Sequence, residues 1–428
     1  MEPEVSSILI IGACQAGVQI ASSLRELGYA ASITMVSAES HPPYQRPPLS
    51  KSLLKGETGI DSLLLRTAEF YEEQQIDLIL GERVTSLVRT GSSGQGIAET
   101  DTGRRIAFDR LALAVGSRPR QLCVPGADAD GVLYLRDAED AFALKHRLQD
   151  AHNVVVVGGG FIGLEVAASA RLLGKQVSVV LPSDRVLARA VGATTAEFFR
   201  KEHEAHGVTV RTGDAVVEII TDPDGNATSV LTASGDRIDA DLVVVGVGAD
   251  PRVELAEEFG LQVNDGIRVD EHSVASDGYT VAAGDCANMP NPLAHGHGPE
   301  RLRLESVNNA TEQAKVAAAS LVGAPTPYRT IPWFWSDQFD IKLQVAGVAD
   351  GYDTVVSRGS VEDRKFSILY YVGDELIAAE CINSPADFTA IRGAMLRGNT
   401  IVPERAIDAA VSLRGAATPV DRALVTTA

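Results

Sequence analysis

The sequence is poor in cysteine and contains no pair spaced for redox chemistry. Its four cysteines are Cys14, Cys123, Cys286 and Cys381, and no CxxC or CxxxxC motif joins any two of them. This absence excludes the active dithiol that thioredoxin-type and glutathione-type reductases need. Four separate thiols are instead typical of a protein kept in a reducing cytoplasm.

Long apolar runs and an excess of basic charge are missing as well. No stretch approaches the roughly 18 apolar residues of a membrane-spanning helix, and the N-terminal MEPEVSS lacks the basic and apolar regions of a signal peptide. Lysine and arginine number 38 against 57 aspartates and glutamates, which gives a formal net charge of −19. We therefore expect a soluble, cytoplasmic protein whose partners include neither nucleic acid nor a membrane.

The most informative stretch is NVVVVGGGFIGLE at 153–165. Four consecutive valines predict a strand buried on both faces, and Gly158, Gly160 and Gly163 follow it. Their spacing lets main-chain amides approach a pyrophosphate at the start of a helix, which we predict over 164–173. A glycine-rich turn also arises for tight packing alone, but the strand before it and the helix after it favour a dinucleotide site.

A second copy of this pattern lies at the N-terminus. A predicted strand at 7–11 leads to GACQAG, in which Cys14 replaces the middle glycine, where the backbone must come close to the pyrophosphate. Because cysteine is small, we interpret this site as altered rather than lost. After a second strand at 32–36, Glu39 stands about 20 residues past the turn, where a carboxylate would bind ribose hydroxyls. A solvated turn carboxylate is the alternative.

The segment HPPYQRPPLSK at 41–51 has four prolines, which suits a stiff loop holding charges beside a ligand, or else an idle surface loop. Here the chain resembles the FAD-dependent NAD(P)H:ferredoxin reductases of the putidaredoxin-reductase and rhodocoxin-reductase type, which supply cytochrome P450s or Rieske oxygenases. Further matches follow in the family's order: LALAVGSRP (111–119), YLR (134–136), GGGFIGLE (158–165), TVAAGD (280–285), RLESV (303–307) and PWFWS (332–336).

The resemblance implies which residues bind each cofactor. For FAD they are Gly12, Cys14, Ala16, Gly17, Glu39, Arg46, Lys51, Val84, Arg136, Gly284, Asp285, Val307 and Trp335. For NAD(P)H they are Gly158, Gly160, Phe161, Ile162, Gly163, Glu165, Asp184, Arg185 and Gly248. No metal site is expected.

Lys51 and Glu165 are the candidate catalytic residues. The resemblance implies that they pair near flavin N5, where hydride arrives and a cation would offset developing negative charge. Glu165 also stands in the first turn of the helix predicted over 164–173, where the helix dipole alone explains a carboxylate. Asp285 follows a predicted strand at 279–283 and would accept ribityl hydroxyls or, alternatively, cap the next helix.

The choice of nicotinamide coenzyme is open in the sequence. NADH-using relatives place an acid where this chain has Leu181, and losing it would cost about 1.5–3 kcal/mol of binding energy. Asp184 would bind the ribose and repel a 2′-phosphate, whereas Arg185 and Arg189 would attract one. We expect NADH, with NADPH as the alternative.

The resemblance implies an α/β fold with two Rossmann-like dinucleotide-binding domains in a glutathione-reductase-like architecture. The NAD(P)H domain at 117–247 interrupts the FAD domain, which spans 1–116 and 248–325. A smaller α/β interface domain follows at 326–428, with strands predicted at 342–348, 355–359, 366–372 and 375–379 and a helix after Pro385. The aromatic stretch with Trp333 and Trp335 suits either core packing or the flavin.

The predicted function is electron transfer from NAD(P)H through FAD to a [2Fe-2S] ferredoxin. An NADH oxidase or peroxidase is an alternative, but residues 41–51 lack the redox cysteine that such enzymes carry. A redox-sensing interaction protein resembling apoptosis-inducing factor is another, and the acidic charge disfavours its nucleic-acid role. The HGHG at 295–298 has two histidines and no third ligand, which favours a loop over a metal site.

Overall fold

The computed structural model describes residues 5–293 and 299–420, which form two compact units. The first contains the chain up to Gln45 together with Ile60–Arg118 and Asp250–Phe334, and the second contains Arg46–Gly59, Pro119–Ala249 and the chain from Trp335 onward. The predicted domain boundaries at 116, 247 and 325 stay predictions. Residues 46–59, which we expected in the first domain, group with the second unit.

The helices and strands alternate along much of the chain. The helices are α1 (Gln15–Glu26), α2 (Ala68–Glu73), α3 (Ala138–Asp150), α4 (Phe161–Leu172), α5 (Ala193–Ala205), α6 (Glu254–Glu258), α7 (Val307–Leu321), α8 (Pro385–Leu396) and α9 (Pro403–Ala406). Short 3-10 helices lie at Pro47–Ser50, Ile60–Leu63 and Leu413–Gly415.

The strands up to the middle of the chain are β1 (Ser7–Ile11), β2 (Ser32–Val36), β3 (Ile76–Ile79), β4 (Val84–Arg89), β5 (Gly96–Thr100), β6 (Arg105–Phe108), β7 (Arg110–Leu113), β8 (Ser117–Pro119), β9 (Val132–Leu133), β10 (Asn153–Val157), β11 (Gln176–Leu181), β12 (Val208–Thr212), β13 (Val216–Thr221) and β14 (Ala227–Thr232). The later strands are β15 (Arg237–Asp239), β16 (Leu242–Val245), β17 (Ala249–Pro251), β18 (Ile267–Arg268), β19 (Val281–Ala282), β20 (Ala287–Pro290), β21 (Arg301–Leu302), β22 (Trp333–Gln338), β23 (Ile341–Gly347), β24 (Thr354–Ser360), β25 (Lys365–Val372), β26 (Glu375–Ile382), β27 (Asn399–Thr400) and β28 (Thr418–Pro419).

The first unit is built on a parallel sheet in the order β19-β7-β1-β2-β3. Successive residues of the central strand β1 point to opposite faces, as strand geometry dictates. Ile8 and Ile10 join an apolar cluster with Leu24 of α1, whereas Leu9 and Ile11 join a second cluster on the other face. Burial on both faces explains why β1 is apolar throughout and fixes where its carboxyl end, the glycine turn, emerges.

The second unit repeats this arrangement in the order β12-β11-β10-β16-β9. The four valines of β10 are almost completely buried, and two of them, Val155 and Val157, pack with Val230 of the antiparallel sheet β13-β14-β15. In both units the glycine turn leaves the central strand of a parallel sheet, which is the crevice where open α/β sheets bind nucleotides. The predicted pair of Rossmann-like folds is confirmed.

The C-terminal part of the second unit is an antiparallel sheet in the order β22-β23-β26-β25-β24, with α8 packed against β23 and β26. The four predicted strands and the helix after Pro385 are confirmed within a few residues. The aromatic stretch at 333–338 is an additional edge strand, β22, which we had not predicted. Its WFWSDQ sequence lacks the apolar–polar alternation that marks a strand.

Glu380 of β26 is a buried carboxylate that joins this sheet to the start of α5. It is 2% exposed and accepts hydrogen bonds from the main-chain N–H of Gly192 and the hydroxyl of Tyr370, both at 2.8 Å. Gly192 is the N-cap of α5, so the carboxylate satisfies an amide at a helix end that otherwise lacks a partner. Burial raises the pKa of Glu380 above its usual value.

Replacing Glu380 with alanine should lower the free energy of unfolding by about 2 kcal/mol, because two buried donors lose their acceptor. Glu380→Gln keeps an acceptor oxygen and is the matched control. Because folding raises the pKa of Glu380, wild-type stability should fall as the pH rises through that pKa, and the glutamine variant should lack this loss. Calorimetric scans near pH 5 and near pH 8 measure both effects. An alanine variant that melts with the wild type would contradict the assignment.

Candidate functional site

The first glycine turn, between β1 and α1, is closed by tight backbone packing. Gly12 has φ +106°, and a Cβ there would stand 2.2 Å from the carbonyl oxygen of Ala114. A Cβ on Gly17 would stand 1.9 Å from the carbonyl oxygen of Gly12, so only glycine lets α1 begin this close to the strand. The result is a helix N-terminus at the carboxyl edge of a parallel sheet, which suits a pyrophosphate.

Cys14 fits this turn without backbone strain. It is the N-cap of α1 with φ −122° and ψ −157°, an extended conformation that any residue adopts. Its counterpart in the second turn is Gly160, which is the N-cap of α4 with φ −80° and ψ 177°. The substitution that marked the first turn as altered therefore changes a side chain and leaves the fold of the turn intact.

Two carboxylates stand near the ends of strands in the first unit. Glu39 follows β2, is half-buried, and accepts a hydrogen bond from the buried Tyr44 hydroxyl at 2.5 Å, so it is oriented rather than freely solvated. Asp285 follows β19 and accepts a bond from the Ser117 hydroxyl at 3.2 Å. The next helix among the described residues is α7, which Ser306 caps, so the alternative that Asp285 caps a helix is wrong.

Gly284 brings the turn that carries Asp285 against α1. A Cβ on Gly284 would stand 3.3 Å from the Cβ of Ala16 and 3.6 Å from that of Ala310 in α7. The predicted FAD residues Ala16, Gly284 and Asp285 therefore come together at one place in the first unit. Main-chain amides as donors, together with a carboxylate after β2 and a carboxylate after β19 as acceptors, form a set of hydrogen-bonding groups that fits a flavin nucleotide.

The second glycine turn separates packing requirements from ligand requirements. A Cβ added to Gly158 would stand 2.3 Å from the Gly246 carbonyl oxygen. A Cβ added to Gly163 would stand 2.7 Å from the Gly158 carbonyl oxygen, so packing demands both glycines. At Gly160 the nearest atom lies 4.0 Å away and φ is ordinary. No packing contact among the described residues requires a glycine there, and the open space at the N-terminus of α4 fits the pyrophosphate of NAD(P)H.

At the position of the missing ribose acid, the end of β11, a leucine packs against the glycine turn. Leu181 is 2% exposed, and its Cδ1 would lie 2.5 Å from a Cβ on Gly159. Asp184 is exposed in the loop that follows β11, and Arg185 donates to the Ala188 carbonyl oxygen at 3.3 Å. The described contacts thus leave Asp184 accessible to a ligand.

Gly248 follows β16, with two guanidinium groups beside it. A Cβ on this glycine would lie 3.5 Å from the Arg189 Nη2 and 3.9 Å from the Arg120 Nη1. Both arginines are exposed, and the main-chain N–H of Arg120 donates to the Gly248 carbonyl oxygen at 2.9 Å. Arg120 was not among the predicted residues. The only indication of it is that it lies beside the predicted residue Gly248 in the structure.

The predicted pairing of Lys51 with Glu165 is confirmed. Lys51 Nζ lies 2.6 Å from Glu165 Oε2, and the two side chains are 18% and 6% exposed. Nζ also donates to the Pro47 carbonyl oxygen at 3.1 Å. An ammonium group has three donors, so these contacts leave the third available to a ligand.

Two serines hold the Glu165 carboxylate from other parts of the chain. The Ser50 hydroxyl donates to Oε2 and the Ser336 hydroxyl to Oε1, each at 2.6 Å. Ser169 of α4 in turn donates to the Ser50 carbonyl oxygen at 2.7 Å. With three donors the buried carboxylate is fully supported, which a charge in this environment requires.

The position of Glu165 in its helix differs from our prediction. The helix begins at Phe161, so Glu165 is its fifth residue and lies outside the first turn. The predicted start at Leu164 was wrong because the apolar residues after Gly160 are already helical. The helix dipole therefore does not account for Glu165, since that effect fades beyond the first turn.

The remaining predicted residues lie in both units. In the second unit, Arg46 Nη1 donates to the Arg136 carbonyl oxygen at 2.6 Å. Phe161 and Ile162 lie in the first turn of α4, where Ile162 is 46% exposed. Trp335 is half-buried in β22. In the first unit, Val307 opens α7, whereas Val84 is buried in the apolar core at the start of β4.

Residues 5–293 and 299–420 contain no group of three or more histidine, cysteine, aspartate or glutamate side chains that could hold a metal ion. No helix in these ranges is both long and apolar enough to cross a bilayer. The HGHG at 295–298 lies outside the described residues.

Comparison with known proteins agrees with this geometry. Residues 6–314 match the family described as pyridine nucleotide-disulphide oxidoreductase, and residues 333–417 match the domain described as reductase C-terminal. Rhodocoxin reductase of Rhodococcus erythropolis is 44% identical over 408 residues, which cover 95% of this chain and 93% of the relative. Putidaredoxin reductase of Pseudomonas putida is 40% identical over 387 residues, 89% of this chain and 90% of the relative.

A solved structure extends the similarity to most of the backbone. The ferredoxin reductase for the CYP199A2 system from Rhodopseudomonas palustris superposes with a TM-score of 0.91 at 41% identity, covering 96% of this chain and 100% of that one. The family model spans most of the sequence, and the amino-acid identity between this chain and its relatives is well above 30%. The chain therefore belongs to the pyridine nucleotide-disulphide oxidoreductase family and, within it, to the FAD-dependent NAD(P)H:ferredoxin reductases.

Proposed function

We propose that this protein is a cytoplasmic reductase that takes hydride from NADH and passes electrons through FAD to a [2Fe-2S] ferredoxin. The ferredoxin would serve a cytochrome P450 or a Rieske-type oxygenase. The observation that carries the proposal is the Lys51–Glu165 pair, in which Lys51 Nζ lies 2.6 Å from a buried glutamate of the helix that follows the second glycine turn. A solved complex of a relative supports the choice of partner, since the crystal structure of a putidaredoxin reductase–putidaredoxin complex contains a reductase similar to this chain.

The two nucleotide sites have separate tasks in this proposal. FAD, when bound, accepts two electrons together and releases them singly, which joins a hydride donor to a one-electron acceptor. The amides at the start of α1 would bind its pyrophosphate, Glu39 its ribose and Asp285 its ribityl chain. The amides around Gly160 would bind the pyrophosphate of the nicotinamide coenzyme.

The Lys51–Glu165 pair would act by charge and position. Glu165 and the Pro47 carbonyl oxygen fix the ammonium group, so Lys51 presents a cation without reorganising during the reaction. Serine donors on both Glu165 oxygens keep the carboxylate from turning away. A fixed cation in a largely dry site stabilises negative charge that develops on a bound flavin.

Coenzyme choice rests on the loop after β11. The exposed carboxylate of Asp184 would accept the ribose hydroxyls of NADH and repel the 2′-phosphate of NADPH. Arg120 and Arg189 beside Gly248 would then meet the pyrophosphate, which both coenzymes share. We therefore propose NADH as the preferred donor.

An absorbance spectrum of the purified protein followed by anaerobic titration tests the cofactors and the donor together. We expect flavin bands that bleach with NADH, and a higher kcat/KM for NADH than for NADPH. Rapid cytochrome c reduction that depends on an added [2Fe-2S] ferredoxin should follow. A colourless protein, or a cytochrome c reduction rate that does not depend on added ferredoxin, would contradict the proposal. A higher kcat/KM for NADPH than for NADH would overturn only the coenzyme assignment.

A further inference from the structure

A buried histidine in the second unit is hydrogen bonded to β22. His203 of α5 is completely buried, and its Nε2 lies 2.8 Å from Oε1 of Gln338, which is 1% exposed. The Nδ1 of the same ring is buried without a hydrogen-bond partner among the described residues. A polar ring buried this deeply, with one nitrogen paired, needs an explanation beyond packing.

The contact continues as a chain of hydrogen bonds to Glu165. Gln338 Nε2 donates to the Ser336 hydroxyl oxygen at 3.1 Å, and the Ser336 hydroxyl donates to Glu165 Oε1 at 2.6 Å. Ser336 and Gln338 are themselves almost fully buried. Beyond Glu165 the chain ends at Lys51 Nζ, bound to Oε2. All five side chains belong to the same unit.

Hydrogen-bond valence fixes the direction of this chain. An ionised carboxylate only accepts, so the single Ser336 proton must point to Glu165, and Ser336 must accept from the amide group of Gln338. The carbonyl oxygen of Gln338 is then left to accept from His203, which must carry its proton on Nε2. The bare Nδ1 agrees with this tautomer. Burial also lowers the pKa of His203 to about 4, so the ring is neutral and has one proton to give.

We propose that His203, Gln338 and Ser336 are positioning residues that fix the Glu165 carboxylate and, through it, the Lys51 ammonium group. This inference rests on the proposed function of the Lys51–Glu165 pair. His203 sets the orientation of the Gln338 amide, and the amide prevents the Ser336 hydroxyl from rotating. Oε1 of Glu165 is thereby held on one side, and Oε2 is left to bind Lys51 and Ser50.

A nuclear magnetic resonance measurement tests the direction of the chain without turnover. The oxidised protein, labelled with ring-15N histidine, contains eight histidines, and the His203 signals are identified by their loss in His203→Phe. We expect one protonated nitrogen, Nε2, and one bare nitrogen, Nδ1, unchanged between about pH 5 and pH 8 because the pKa lies near 4. A ring protonated on Nδ1, or on both nitrogens, would overturn the proposal.

A double-mutant cycle tests whether His203 acts through Ser336. His203→Phe keeps an aromatic ring beside Phe339 and removes the Nε2 donor. We expect it to slow flavin reduction by NADH about threefold to thirtyfold in the wild-type background, and to have no further effect in the Ser336→Ala background. Equal slowing in both backgrounds would show that His203 acts only through general packing and would sink the proposal.

Two further variants serve as a control and as a substitute for His203→Phe. His206→Phe is the matched control. His206 stacks on Phe339 with ring centroids 3.8 Å apart and is not a member of the hydrogen-bond chain from His203 to Lys51. It should leave the reduction rate unchanged. If His203→Phe fails to fold, Gln338→Met removes the middle link and should give the same non-additivity with Ser336→Ala. Should NADH not reduce the wild-type flavin at all, the proposed function fails, whereas the His203 tautomer still reports on the chain itself.

Discussion

Replacing Lys51 with methionine should slow the reduction of bound flavin by NADH about tenfold or more, because the site loses its fixed cation. Methionine is unbranched and only one heavy atom shorter than lysine, so packing near Pro47 should change little. Glu165 would keep both serine donors but lose its counter-charge. Stopped-flow absorbance at saturating NADH measures the limiting rate, which separates this effect from coenzyme binding.

Lys55→Met is the matched control for that experiment. Lys55 lies four residues farther along the same segment and pairs with Glu57, which is 56% exposed. An exposed ion pair of this kind contributes little, so the control variant should reduce its flavin at the wild-type rate. A Lys51 variant as fast as this control would mean that the lysine has no part in the reaction.

Gly160→Thr should weaken NADH binding about 30-fold while leaving the fold stable, since losing one amide contact to the pyrophosphate costs about 2 kcal/mol. The added side chain enters space that the described residues leave open, with the nearest of their atoms 4.0 Å from the Cβ. A threonine at this N-cap would satisfy the helix amides with its own hydroxyl, which competes with the coenzyme and preserves helix stability. The NADH concentration at half the maximal reduction rate reports the loss.

Gly158→Ala serves as the comparison, because it should lower the stability of the fold, which Gly160→Thr should leave intact. Its Cβ would collide with the Gly246 carbonyl oxygen at 2.3 Å, and its φ of +112° disfavours any side chain. This variant should melt at a lower temperature whether or not coenzyme is present. If Gly160→Thr bound NADH as the wild type does, the turn at 158–163 would not be the pyrophosphate site.

Local sequence patterns were sufficient to predict the two parallel sheets and their glycine turns. The valine run of β10 and the apolar β1 reflect burial on both faces, and the glycine spacing reflects contacts within a few residues. Cys14 and Leu181 were recognised as departures from the family pattern, but their consequences depended on coordinates. The backbone angles of Cys14 and the packing of Leu181 against Gly159 cannot be read from spacing.

The donors around Glu165 could not be predicted because they are distant in sequence. Ser50 lies 115 residues before Glu165, Ser336 lies 171 residues after it, and His203 is 135 residues from Gln338. Such contacts follow from tertiary packing, and no periodicity within a window indicates them. Both serines did lie in segments that resemble the family, PPLSK and PWFWS, which was the one available signal.

The three separate chain segments of the second unit have a consequence for biosynthesis. A nascent polypeptide that has left the ribosome only as far as Ile331 already contains Lys51 and Glu165 but still lacks Ser336 and Gln338. Its carboxylate then has no donor on Oε1, and the pair cannot reach its final geometry until translation has passed β22. Reductase activity should therefore appear only after β22 has been synthesised, which makes it a sensitive reporter of whether the segment with Ser336 and Gln338 has folded against the earlier ones.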